Sequence, residues 1–194
     1  MRLWTIQPIE VYNQLVRDGY FICDKRKSPN INDAGSEQFI RAYKWLIHQM
    51  DIRGIYHPNS AEYPIWAWHT RDWKHKKPDL RESCYDKRGT KSVCIELEIP
   101  DNQVLLSDFD EWHYVLNNWY NDASKSEEEW EKMQEHFNKL SPREKQIAIE
   151  KSWQRIFNIT PFHNEWHSRG KYIQATFWQI KIENVRRVQK FTCK

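Results

Sequence analysis

The stretch SVCIELEIP at 92–100 alternates without a break. Val93, Ile95, Leu97 and Ile99 fall on one side of an extended chain, and Cys94, Glu96 and Glu98 on the other. That period of two predicts a strand of a sheet with one apolar face. The rest of the chain has to supply partner strands and a cover for that face.

Partner strands are available. MRLWTIQP alternates well enough for a first strand that Pro8 stops, and EYPIWAWHT at 62–70 is rich in aromatic and β-branched residues. NQVLLSDF at 102–109 predicts a short strand or turn, and KYIQATFWQIKI at 171–182 predicts one long strand. ENVRRVQKFTCK closes the chain. Between the strands lie helices. Val11, Leu15 and Val16 have near-helical spacing, and Gly19 suits the position just past a helix end. KRKSPNINDAGS at 25–36 reads as a loop. Ser36 is placed to cap a second helix, with Phe39, Tyr43, Leu46, Ile47 and Met50 on one stripe and Gly54 beyond its end. Asp108 is placed to cap FDEWHYVLNNWY. Ser126 with Glu129, and Ser141 with Pro142 and Glu144, have the spacing of capping boxes. They predict a helical pair inserted at about 124–158. The sum is a single α+β domain over 1–194 with a mostly antiparallel sheet.

Composition narrows the function. The five glycines form no phosphate-cradling G-x-G or G-x-x-x-x-G-K loop, and no serine or cysteine nucleophile motif is present. HNEWH at 163–167 would put two histidines on one helix face, but its Glu stands one position too late for the zincin pattern, and no metal site is expected. Cys23, Cys84, Cys94 and Cys193 lack metal-ligand spacing and read as free thiols. No apolar run approaches the ~20 residues that span a bilayer, and the polar opening is unlike a signal peptide, so a cytoplasmic protein without a membrane partner is expected. The net charge of +3 is mild, yet residues 71–91 are dense in Lys and Arg.

The candidate site begins at YPIWAWHTRDWKHKKPDLR, residues 63–81. On a strand, Trp66, Trp68 and Thr70 face one way, while Tyr63, Ile65, Ala67 and His69 face the other. Two indoles in a row can serve as a stacking platform for a flat ring or as a core face under a helix. Lys77 and Arg81 are suited to phosphate, and Asp79 can orient them or accept from a ribose hydroxyl. On the last long strand Gln174, Thr176 and Trp178 oppose an apolar face of Ile173, Ala175 and Phe177. On the first, Thr5 and Gln7 oppose Trp4 and Ile6. If these faces meet, the chain has a pocket for a nucleotide-like ligand. The same Trp faces and the basic stretch would also suit a non-catalytic nucleic-acid-binding module.

LWTIQP, AYKWL, YPIWAW, KPDLR and DFDEWHYVLN resemble the motif set of an uncharacterised bacterial family, a domain of unknown function. LWTIQPIEVYNQLVRDGYF is also similar to the opening of ADP-ribosyltransferase-superfamily domains, and IQATFW resembles their later catalytic strand. That second resemblance implies an ADP-ribosyltransferase-like core with NAD as cofactor and transfer of ADP-ribose to nucleic acid or protein, as in toxins or phage-defence effectors. It places Thr5 at the NAD-contacting position usually held by His or Arg, and Thr176 at the usual catalytic Glu, with Gln174 as the nearest amide. A Thr cannot supply the negative charge that this chemistry uses.

Overall fold

In the computed structural model, residues 1–27, 36–58, 60–82 and 87–194 are described. The core is a six-stranded sheet in the order β10-β4-β1-β3-β8-β5. Every pairing in it is antiparallel. The strands are β1 (Arg2–Pro8), β3 (Ile65–Thr70), β4 (Lys91–Glu98), β5 (Leu105–Asp108), β8 (Ile173–Phe177) and β10 (Val185–Thr192). Two further strands, β2 (Tyr20–Ile22) and β9 (Gln179–Lys181), pair with each other, as do β6 (Phe162–His163) and β7 (Ser168–Arg169).

The alternation at 92–100 does what its period requires. Val93, Ile95 and Leu97 are fully buried, in one cluster with Leu3, Ile65, Ala67, Ala175 and Phe177 from the neighbouring strands. Helix α1 (Ile9–Asp18) covers that face through Leu15. It ends as expected at Gly19, whose φ of 79° is left-handed and whose N–H bonds to Leu15 O. The opposite face is covered in two parts. Over β3, β8 and β5 lie α2 (Glu37–Asp51), α3 (Phe109–Leu116) and the turn of 3-10 helix at Trp153–Phe157. Leu46, Met50, Trp112, Val115, Trp153 and Ile156 form the second core there. Over β1 and β4 runs the segment after β3, where His75 Nε2 donates to Arg2 O and the ring packs edge-on against Trp4.

Several expectations are corrected. The stretch 171–182 is two strands, because Trp178 breaks the run and donates its indole N–H to Ile55 O, sending β9 to a different sheet. ENVRRVQKFTCK contains an edge strand, β10, whose mostly exposed charged residues hide its period. A bulge between Trp68 and Thr70 ends the alternation of β3, and His69 stacks on His75 instead of following Ala67. Ser36 stands at the N-cap of α2 but makes no capping hydrogen bond. Residues 25–27 are a 3-10 turn, and 28–35 of the expected loop lie outside the described residues, as does Cys84. HNEWH is the last residue of β6 followed by the turn into β7, so its two histidines do not share a helix face. The expected helical pair forms as α4 (Glu127–Asn138) and α5 (Pro142–Ser152). Ser141 and Glu144 make a full capping box, whereas Glu129 reaches past Ser126 to the N–H of Lys125. Among the described residues no helix is long and apolar enough to cross a membrane.

Candidate functional site

The site is built on a weakness in the sheet. β4 pairs with β1 along its whole length, and β8 pairs with β3 over five residues, but β1 and β3 meet at only one register, Trp4 with Trp68. The sheet is thus two three-stranded halves joined at a short seam. Where the seam parts, the hydroxyl of Thr5 donates to Trp66 O at 2.8 Å, standing in for a ladder hydrogen bond. Gln7 Nε2 in turn donates to Thr5 Oγ1 at 2.8 Å.

A cavity of about 310 Å³ opens at this seam. Gln7, Trp66, Trp68 and Gln174 all line it, so four of the residues expected to form a pocket converge there from three strands. Register explains the convergence: Trp68 sits opposite Gln174 on adjacent antiparallel strands, so their side chains share a face. Tyr43 of α2 and Cys23, just after β2, complete the wall. Trp66 donates its indole N–H to Tyr43 Oη at 2.9 Å and packs on Trp112, so its orientation is fixed before any ligand arrives. Trp68 is held by Phe109 and by the Arg71 guanidinium, 4.6 Å from its ring centre. Burial pushes the Tyr43 phenol up to about 12 and raises the Cys23 thiol, so both stay protonated at neutral pH. Among the described residues the side chain of Gln174 has no hydrogen-bond partner, and the Oγ of Ser107, opposite Gln174 on β5, is buried without one.

The other expected site residues lie elsewhere. Thr5 is fully buried beneath the cavity. Thr176 is fully buried and donates to Leu105 O, so its hydroxyl is a structural group. Lys77 extends to Gln189 of β10, and Asp79 and Arg81 pair with each other at 2.6 Å on the surface. None of the three lines the seam. Glu96 accepts from the Trp4 indole and faces Arg2, and Glu98 meets the N-terminal ammonium, so neither brings a carboxylate to the cavity.

A family model described as a domain of unknown function, DUF3841, matches residues 2–186. The chain belongs to the DUF3841 family. No curated protein and no solved structure matches it. In this DUF3841 domain three of the stretches that carry the family resemblance meet at the seam: LWTIQP brings Gln7, AYKWL brings Tyr43, and YPIWAW brings Trp66 and Trp68.

One constellation of the DUF3841 domain escapes sequence reasoning. Glu111 of α3 is 3% exposed, accepts a short hydrogen bond from Asn121 Nδ2, and has Oε1 3.3 Å from His167 Nε2. Burial raises its carboxyl, against Asn121 and the cations of Arg169 and Arg155. Burial likewise lowers the His167 imidazole, and Arg169 adds to the effect. The signals were HNEWH and DFDEWH, but only the fold brings their second His and Glu together.

Proposed function

We propose that the seam cavity binds the flat ring of NAD or of another nucleotide-like ligand. The observation that supports this best is the meeting of Gln7, Trp66, Trp68 and Gln174 at one cavity. Two fixed indoles offer apolar surface to a planar ring. The free amide of Gln174 and the Oε1 of Gln7 offer a donor and acceptors to its edge, as a nicotinamide or nucleobase requires. The volume is at the small end of ligand pockets, enough for a ring and its ribose. Among the described residues no cation lines it, so the phosphates would leave past Cys23 into the adjoining groove, where Lys25 and Arg26 would have to exchange their pairing with Glu62 and Asp24 for the ligand.

On this reading the sheet is an ADP-ribosyltransferase-like core that has kept ring recognition. Cleavage of a glycosidic bond would need a carboxylate near the ribose to stabilise developing positive charge. Among the described residues the lining carries none, so binding is the function the geometry supports.

Calorimetry with NAD, nicotinamide and AMP tests this. Saturable binding is expected for at least one of them. Loss of one ring hydrogen bond in Gln174→Ala should weaken it by about tenfold. No heat from any of the three at millimolar concentration ends the reading. Affinity for an oligonucleotide that exceeds all three and falls steeply with salt would favour the nucleic-acid alternative.

A further inference from the structure

A second cavity, of about 580 Å³, opens away from the seam, between α3, the loop at 117–126, α4 and the β6–β7 turn. Its walls include Trp119, Trp130 and Trp166, which are 57%, 42% and 46% exposed. Three large indoles left this open around one concavity mark a binding surface more than a core. The loop that forms its rim holds Asn118 and Ala123 at φ of 57°, a left-handed conformation that is unusual outside glycine and clusters at ligand sites.

The lining chooses the ligand's charge. Among the described residues no Lys or Arg lines the cavity, so its lining does not favour phosphate. The one carboxylate among its described lining residues, Asp122, already accepts from the N–H and hydroxyl of Ser124 and from Gln134, so it is poorly placed to serve as a counter-ion for a cation. What remains is apolar ring surface edged by amide, hydroxyl and indole N–H groups. That combination suits a neutral ring bearing hydroxyls, with C–H faces for the indoles and O–H groups for the rim.

At the inner wall sits His167. Its Nε2 is buried and faces Glu111 Oε1 at 3.3 Å, within reach but out of line for a formed hydrogen bond, and it has no other partner. Its Nδ1 has no protein hydrogen-bond partner among the described residues, and the residue lines the cavity wall. Glu111 is held from behind by Asn121, whose carbonyl accepts from Arg155 and whose N–H donates to Ser152 Oγ. The negative charge of a carboxylate beside Nε2 favours the proton on that nitrogen and leaves Nδ1 as an acceptor.

We propose that this cavity is a second ligand site, for a neutral saccharide-class ring, in which His167, with Glu111 beside its Nε2, accepts a hydrogen bond at Nδ1 from a ligand hydroxyl. Asp108, Asp122, Arg169 and Lys125 also act on His167 through space, so its titration reports the whole cluster.

The test uses the full chain with glucose, N-acetylglucosamine and ribose as probes, read by tryptophan fluorescence, and long-range ¹H–¹⁵N spectra of the histidines. At least one sugar should give saturable quenching. Its dissociation constant should rise at least tenfold in Trp166→Ala and stay unchanged in Gln174→Ala, which disables only the seam. Neutral His167 should carry its proton on Nε2, and Glu111→Gln should collapse that tautomer preference. Absence of saturable quenching by all three sugars at tens of millimolar, or undiminished affinity in Trp166→Ala, overturns the ligand class and the site. A proton on Nδ1, or a tautomer indifferent to Glu111→Gln, overturns the role of the pair.

Discussion

Thr5 and Trp66 lie on strands that have stopped pairing, and the Thr5 hydroxyl holds them together by donating to the Trp66 carbonyl at 2.8 Å. The same oxygen receives Gln7 Nε2, so one buried hydroxyl fixes both edges of the seam. Thr5→Val keeps the shape and removes both hydrogen bonds. It should cost about 1–3 kcal/mol, because a buried carbonyl and an amide lose their partners. Thr5→Ser keeps the hydroxyl and gives up one methyl, about 1 kcal/mol. Urea denaturation of both variants checks this, and a Val variant as stable as the Ser variant would show that the clasp carries no weight.

The next bond out is Trp66 Nε1 to Tyr43 Oη. Tyr43→Phe leaves the indole N–H without its acceptor and should destabilise by about 1–2 kcal/mol. The folded phenol's pKa, raised to about 12 by burial, means that its neutral form is the one the fold favours. Its contribution is therefore complete below the ordinary phenol value of 10.0 and is lost as pH rises through 12. The stability of the wild type relative to Tyr43→Phe should fall over that range. Parallel pH series of the two proteins would detect a flat difference, the outcome that denies Tyr43 its burial.

Asp108 ties the start of α3 to the turn between β7 and β8. Its Oδ1 accepts from the N–H groups of Asp110 and Glu111, and its Oδ2 from Gly170 N at 2.6 Å. Gly170 has φ of 79°, and a Cβ there would lie 2.9 Å from Pro161 Cα, so the approach needs glycine. Asp108→Ala should lose a helix cap, typically about 1 kcal/mol, and leave a buried N–H unpaired at about 1–3 kcal/mol more. Thermal melts showing a loss confined to 1 kcal/mol or less would mean that Gly170 finds another acceptor.

What the sequence reveals here and what it hides divide along local and non-local physics. Alternation in YPIWAW and KYIQATF correctly puts Trp66, Trp68 and Gln174 on one face, because side-chain direction in a strand is a local property. The same pattern cannot say that β1 and β3 pair at a single register, and that separation is what makes the cavity. Lys77 and Arg81 follow the tryptophans closely in the chain, yet the bulge after Trp68 and the return of the segment over β4 and β10 carry them off. Glu111 reads as one more polar residue in a helix's first turn. Only the turn between β6 and β7, anchored by Asn164 Oδ1 accepting from Trp166 and His167 N–H, brings an imidazole to it.

Glu111 and His167 also give the fold a pH dependence with a defined sign. A carboxyl whose pKa is raised on folding is favoured in its neutral form. Its contribution is complete below the ordinary value of 4.5 and is lost as pH rises through the folded value. His167 acts the other way: its lowered folded pKa makes stability complete above 6.5 and lost as pH falls. Glu111→Gln removes the first effect and keeps an acceptor for Asn121. The variant's stability relative to wild type should therefore climb as pH rises from 4.5 and level off once Glu111 ionises in the folded protein. Asp108, Asp122, Arg155, Arg169 and Lys125 surround the pair, so the slope of this difference, not its offset, is the diagnostic quantity. Denaturation midpoints across the acidic range supply it. A difference that stays constant, or that falls with rising pH, would mean that the carboxylate is better solvated or better paired in the fold than its burial implies.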